Sequence, residues 1–77
     1  MPGARTTYKS KLLKLYSVIV VEGSGKPGQI LSIDPLVVGC LNSALQIREI
    51  QPQGKKRMPS SDFVRGYRIQ MGDIFGD

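Results

Sequence analysis

Turn-forming residues recur so closely between Lys11 and Ile50 that the apolar segments between them have room for little but strands. The run Gly-Ser-Gly-Lys-Pro-Gly at 23–28, the pair Asp34 and Pro35, and Asn42 cut this stretch into KLLKLYSVIVVE, QILSI, LVVGC and ALQIREI. In the first segment Leu13 and Leu15 share one parity, and Val18 and Val20 share the other. The switch around Tyr16 and Ser17 predicts one long strand with a bulge or strong bend. The segment is long enough for a helix, but its β-branched run at 18–21 argues against one. Strands are then expected over 29–33, 36–40 and 44–50, with Leu45 and Ile47 facing inward. A tight connection at 41–43 would place Asn42 at positive φ. Gly23-Ser24-Gly25 opens neither a GxxxxGK[ST] nor a GxGxxG pattern and has Pro27 close behind it, so it reads as a hairpin loop rather than a phosphate cradle.

One segment reads as a helix of one to two turns. Pro59 suits a first-turn or pre-helix position, Ser60 or Ser61 can cap, Asp62 complements the N-terminal dipole, and Gly66 supplies a stop. Phe63 and Val64 would face the core and Arg65 the solvent. Residues 67–70 are then expected to form a fifth strand, and Met71, Gly72 and Asp73 a turn before the apolar pair Ile74 and Phe75. Short strands, glycine-rich turns and one small helix predict a mainly β fold, a small open or closed β-barrel of the oligonucleotide-binding type with five to six strands. A flat sheet would leave its edges unprotected. With 77 residues the chain makes a single domain over 1–77, and at that size folding buries only about 60% of the unfolded surface.

Eleven Lys and Arg against six Asp and Glu leave a net charge of +5, which favours a polyanionic partner, nucleic acid first. The chain has no histidine and no tryptophan, and its carboxylates are scattered. That inventory is unsuited to zinc sites, histidine acid/base catalysis and Cys/His nucleophile pairs, so no metal is expected and the chain alone is not expected to be an enzyme. The single cysteine, Cys40, follows an apolar run and reads as a small core residue in a reducing compartment, the bacterial cytoplasm or an organellar matrix. No apolar stretch approaches the roughly 18 residues of a membrane span, and the first eleven residues form a basic arm without a signal core. A soluble monomer is expected.

The positive charge falls in two blocks, 5–26 and 48–68. The densest run is Lys55, Lys56 and Arg57, and a lysine-rich surface of this kind suits RNA phosphates, which lysine and arginine neutralise with little regard to base sequence. The candidate contacts are Lys9, Lys11, Lys14, Lys55, Lys56, Arg57, Arg65 and Arg68. Lys9, Lys11 and Lys14 join Lys55, Lys56 and Arg57 on one face if the first strand lies beside the 53–57 loop. Lys11 and Lys14, three apart on a strand, point to opposite sides unless the bend rotates one of them. A Lys-Lys-Arg run is also what an ordinary solvated loop contains. Arg57, next to Met58, has the alternative of packing on the barrel. Tyr8, Tyr16 and Tyr67 suit core or edge packing more readily than base stacking.

These residues carry a resemblance. Pro2, Gly3, Ala4, Thr6, Lys11, Leu13, Lys14, Pro27, Gly28, Ile30 and Leu31 stand in the order of the opening of the C-terminal domain of methionyl-tRNA formyltransferases. VVGC at 37–40, Ala44, Leu45, Glu49, Ile50, Gln51, Gly54, Lys55, Lys56, Arg57, Met58, Asp62, Phe63, Gly66, Arg68, Gly72, Asp73 and Gly76 follow its order and spacing. The sequence departs from the pattern at Leu41 and Ser43, where glycine is common, at Pro59 in place of serine, and at Met71 in place of proline. All four changes fall in turns. The resemblance implies a non-catalytic barrel that binds initiator tRNA and helps position its acceptor end for formylation during translation initiation. It also implies a partner, the Rossmann-like N-terminal catalytic domain of the same enzyme, which would carry the catalytic groups and the formyl donor 10-formyltetrahydrofolate. Two other readings stand beside it. One is the structural barrel of a related formyl-transfer enzyme that binds no RNA; the other is a protein-interaction module built on an exposed Leu41, Ile74 and Phe75 patch.

Overall fold

The structure is a computed structural model that describes residues 4–23, 25–40 and 42–76. Six strands and one helix follow one another as β1 (Ala4–Tyr8), β2 (Lys11–Val21), β3 (Ile30–Ile33), β4 (Leu36–Gly39), β5 (Ala44–Pro52), β6 (Met58–Pro59) and α1 (Ser60–Tyr67). All neighbouring strands pair antiparallel, in the order β1-β2-β5-β4-β3, with the short β6 on β5. The sheet curls into the expected barrel-like form with its single short helix.

The long strand β2 is the spine. Leu13 and Leu15 point into the core, and Ser17 sits at φ 53. Its register with β5 is nevertheless unbroken from Leu13 opposite Pro52 to Val21 opposite Ala44, so the parity switch is a bend at Ser17 and not an inserted residue. Beyond the bend Val18 packs on the core, whereas Ile19 and Val20 are exposed. On β5 the buried residues are Ala44, Ile47, Ile50 and Pro52; Leu45 is half-buried, contrary to expectation, because β5 bends with its partner. The 41–43 connection runs through Leu41, which lies outside the described residues, and so does the backbone angle expected of Asn42. Cys40 is also not a core strand residue. It stands just past β4, half-buried, with its amide donating to the Ser43 carbonyl at 2.8 Å.

The basic arm contains a strand that the sequence pattern conceals. β1 folds back on β2 through Lys9 and Ser10, both at positive φ (50° and 69°), the backbone of a two-residue hairpin turn. Such turns favour Asn-Gly, so Lys-Ser gave no signal.

Helix α1 packs across β5 and the adjoining β4 and β6, with Phe63 fully buried and Val64 and Tyr67 partly packed beside it. Two expectations about its ends are corrected. Pro59 is the N-cap and no side chain caps the helix, so neither Ser60 nor Ser61 does so. Gly66 lies inside the helix, and the stop is Arg68, at φ 53. The Ile69 amide then donates back to the Val64 carbonyl at 3.0 Å, and Ile69 is buried, the pattern of a Schellman motif. Residues 67–70 therefore end a helix and form no strand.

Residues 72–76 bridge the two edges of the curled sheet, strands β1 and β3. On one side the Ile30 amide donates to Asp73 (2.8 Å) and the Phe75 amide to Gly28 (2.7 Å); on the other, the Gly76 amide donates to Thr7 (2.6 Å). These bonds occupy the edge groups that would otherwise template association. Gly28 is at φ +84, and a Cβ there would stand 2.0 Å from the Phe75 carbonyl oxygen, so only glycine lets the seam close. Phe75 is buried against Tyr8 and Phe63 with edge-on ring contacts at 5.6 and 6.2 Å.

Candidate nucleic-acid interface

The register of β2 and β5 determines where the cations meet. Because Leu13 lies opposite Pro52, the β1–β2 turn and the 53–57 loop emerge side by side at one end of the barrel. The Gln53 amide donates to the Leu12 carbonyl at 2.9 Å, and the Leu12 amide to the Gln53 side-chain oxygen at 3.2 Å, which ties the two loops together. Lys9, Lys11, Lys14, Lys55, Lys56 and Arg57 are all exposed at this end. Arg5, which sequence reasoning left out, is the direct cross-strand neighbour of Lys14. It became visible as part of the cluster only once β1 was known to be a strand.

The group has two flanks. Lys14 lines a shallow cleft of about 190 Å³ with Leu12, Gln51, Pro52, Gln53 and Gly54 on the outward face. Lys9 and Lys11 line a second cleft of about 130 Å³ on the other side, with Tyr8, Leu13, Pro52 and Tyr67. Lys11 and Lys14 thus stay on opposite sides of β2.

The arginines differ from the lysines. The Arg57 guanidinium donates through Nε to Glu49 Oε1 at 2.6 Å, forms an ion pair with the same carboxylate through its terminal nitrogen, and lies over the Tyr16 ring at 4.2 Å. The Tyr16 hydroxyl donates in turn to Gln51 (3.1 Å), whose amide donates to the Lys55 carbonyl (3.1 Å). The loop is therefore held down by Arg57 and is not merely solvated. Arg65 pairs with Asp62 at 3.1 Å on the exposed side of α1. Asp73 accepts from the Tyr8 hydroxyl (3.3 Å) and the Gln70 amide (3.0 Å). Among the described residues no carboxylate forms an ion pair with Lys9, Lys11, Lys14, Lys55 or Lys56. Glu22 stands just past the far end of β2, eleven residues from Lys11.

The apolar-patch alternative loses two of its three members. Phe75 is buried, Ile74 is half-buried in a bridge to Gln29, and Leu41 lies outside the described residues. Among the described residues no group of three or more His, Cys, Asp or Glu could hold a metal, and no helix is long and apolar enough to cross a membrane.

Comparison with known proteins adds the family. The model of the formyl transferase C-terminal domain matches residues 1–68. Methionyl-tRNA formyltransferases of Citrifermentans bemidjiense, Geobacter metallireducens and Streptococcus pneumoniae are 46%, 45% and 39% identical to the chain, covering 97%, 97% and 99% of it. The matched regions are 24%, 25% and 26% of those proteins, so the chain spans about a quarter of their length. A curled, barrel-like sheet with one helix and a match to nearly its whole length lead to one assignment: the chain belongs to the formyl transferase C-terminal domain family, in the form that methionyl-tRNA formyltransferases carry.

Proposed function

We propose that this barrel binds initiator tRNA through phosphates at the end formed by the β1–β2 turn and the 53–57 loop, and so helps position the acceptor end for formylation. The observation that carries this reading is the gathering of Lys9, Lys11, Lys14, Lys55 and Lys56 at one end of the fold, with the nearby carboxylate Glu49 already occupied by Arg57. Ammonium groups without a carboxylate partner among the described residues are suited to neutralise phosphates and release condensed counterions, which supports affinity without base reading. Arg68 adds a cation beside Tyr67, whereas Arg57 and Arg65 contribute less because each already holds a carboxylate.

The relatives' name states that they act on methionyl-tRNA, which fits this chemistry. In this reading the barrel contributes no catalytic group. A catalytic domain outside these 77 residues, its partner in the same enzyme, takes the formyl donor 10-formyltetrahydrofolate. The test is direct. Replacing Lys9, Lys11, Lys55 and Lys56 together with alanine should abolish tRNA binding at moderate salt while circular dichroism and thermal unfolding stay close to wild type. Undiminished binding by this variant would move the interface elsewhere.

A further inference from the structure

Of the four non-glycine residues at positive φ among the described residues, Lys9 lines one cleft, and Ser10 and Arg68 each directly follow one of its lining residues, Lys9 and Tyr67. A left-handed backbone disfavours side chains with a Cβ, and both turns would form more readily with Asn or Gly. Strained residues persist where a side chain is needed, and two of these three are cations. The cleft has a mostly apolar lining of Tyr8, Leu13, Pro52 and Tyr67, joined by the exposed Lys9 and Lys11.

The lining is rigid before anything binds. The Tyr8 ring meets Phe63 and Phe75 edge-on at 6.5 and 5.6 Å, and its hydroxyl donates to Asp73. Tyr67 stacks on Phe63 with centroids 4.5 Å apart and planes at 26°. Asp73, the nearby carboxylate, is tied by two hydrogen bonds. Lys9 stands over the Tyr8 ring at 5.4 Å, so its ammonium overhangs the cleft without a carboxylate partner among the described residues. An apolar slot of about 130 Å³ between aromatic side chains has room for one flat ring and little more.

We infer that this cleft takes a single unpaired nucleotide of the bound RNA, its base against Tyr8 and Tyr67 and its phosphate between Lys9 and Lys11. The inference rests on the RNA reading above and adds to it a preference for structure. Phosphate contacts alone would treat all paired helices alike, whereas the cleft rewards a base that is already unstacked, since base–aromatic stacking tolerates any base.

The probes are two RNA hairpins with equal numbers of phosphates, one fully paired and one with a single unpaired nucleotide in its stem. The 77-residue chain should bind the bulged hairpin about 5- to 100-fold more tightly, with amide shifts at Leu13 and Tyr67 that the paired hairpin does not cause. Tyr67→Leu keeps apolar contact with Phe63 and should bring the bulged hairpin down to the paired one without weakening the latter. A second variant, Lys9→Asn with Ser10→Gly, relaxes the turn; it should melt higher yet narrow the preference. Equal affinity for both hairpins, or a preference unchanged in both variants, overturns the cleft while leaving phosphate binding intact. If neither hairpin binds, the underlying RNA reading falls as well.

Discussion

Removing the Arg57 side chain should lower stability more than it lowers RNA affinity, the reverse of what removing Lys55 or Lys56 should do. The guanidinium makes two contacts to Glu49 and one to the Tyr16 face, but the pair is partly solvated, with side chains 52% and 39% exposed. Exposed ion pairs contribute about 0.2–1 kcal/mol and an exposed cation–π contact about 0.5–1 kcal/mol. Arg57→Ala should therefore cost about 1–1.5 kcal/mol, which for a domain of this size lowers Tm by roughly 5–10 °C. Lys55→Ala and Lys56→Ala, with no ion pair among the described residues, should stay within about 0.5 kcal/mol of wild type. Arg57→Lys keeps the charge but loses the planar stack and the forked hydrogen bonding, so it should retain less than half of the contribution. Thermal and urea unfolding of Arg57→Ala, Glu49→Gln and the double variant give the coupling energy, about 0.5–1 kcal/mol, and it should shrink in 0.5–1 M salt. The reasoning is refuted if Arg57→Ala melts like wild type while its RNA salt slope falls by a full contact, because Arg57 would then be a phosphate ligand and not a strut.

Three further outcomes follow from the fold. Gly28→Ala combines a positive φ with a Cβ 2.0 Å from the Phe75 carbonyl and should cost about 2–4 kcal/mol, whereas Gly54→Ala, at φ +76 with nothing within 4 Å, should cost only about 1–2 kcal/mol. Urea unfolding of both distinguishes seam packing from backbone strain. Arg68→Gly should raise stability by about 0.5–1 kcal/mol, read as a higher Tm, because the Schellman motif then has its preferred residue. Finally, the purified chain supplied with 10-formyltetrahydrofolate and methionyl-tRNA should transfer no formyl group; turnover proportional to the amount of chain would refute the non-catalytic reading.

The barrel was legible because its punctuation is local. The loop at 23–28, the Asp34–Pro35 turn and the β-branched run ending at Val21 each declare themselves within a few residues. The bend at Ser17 was legible as a parity switch, though a switch alone does not distinguish a bend from an insertion. The β1–β2 hairpin was not legible, because Lys9 and Ser10 adopt a backbone that their own propensities oppose. The helix end misled for the same reason, with Gly66 inside the helix and Arg68 at the stop. In both places tertiary packing overrides local preference: Tyr8 and Ile69 are buried immediately beside the strained residues. The cationic residues were legible one by one, but their neighbourhood depends on the register of β2 with β5, which composition does not reveal. Arg5 and the Glu49–Arg57–Tyr16 cluster likewise exist only across strands.

The most direct test of the central claim is the salt dependence of tRNA binding by the intact chain, compared with a Lys55→Ala, Lys56→Ala variant. Each phosphate contact should contribute about 0.7–0.9 to the slope of log affinity against log salt, so the double variant should lose about 1.4–1.8 from it. The loss should be equal for initiator and elongator tRNAs, because nothing in the lysine cluster reads base edges. A wild-type affinity that barely changes with salt, or a double variant with an unaltered slope, would contradict the claim that this end of the barrel holds RNA by its phosphates.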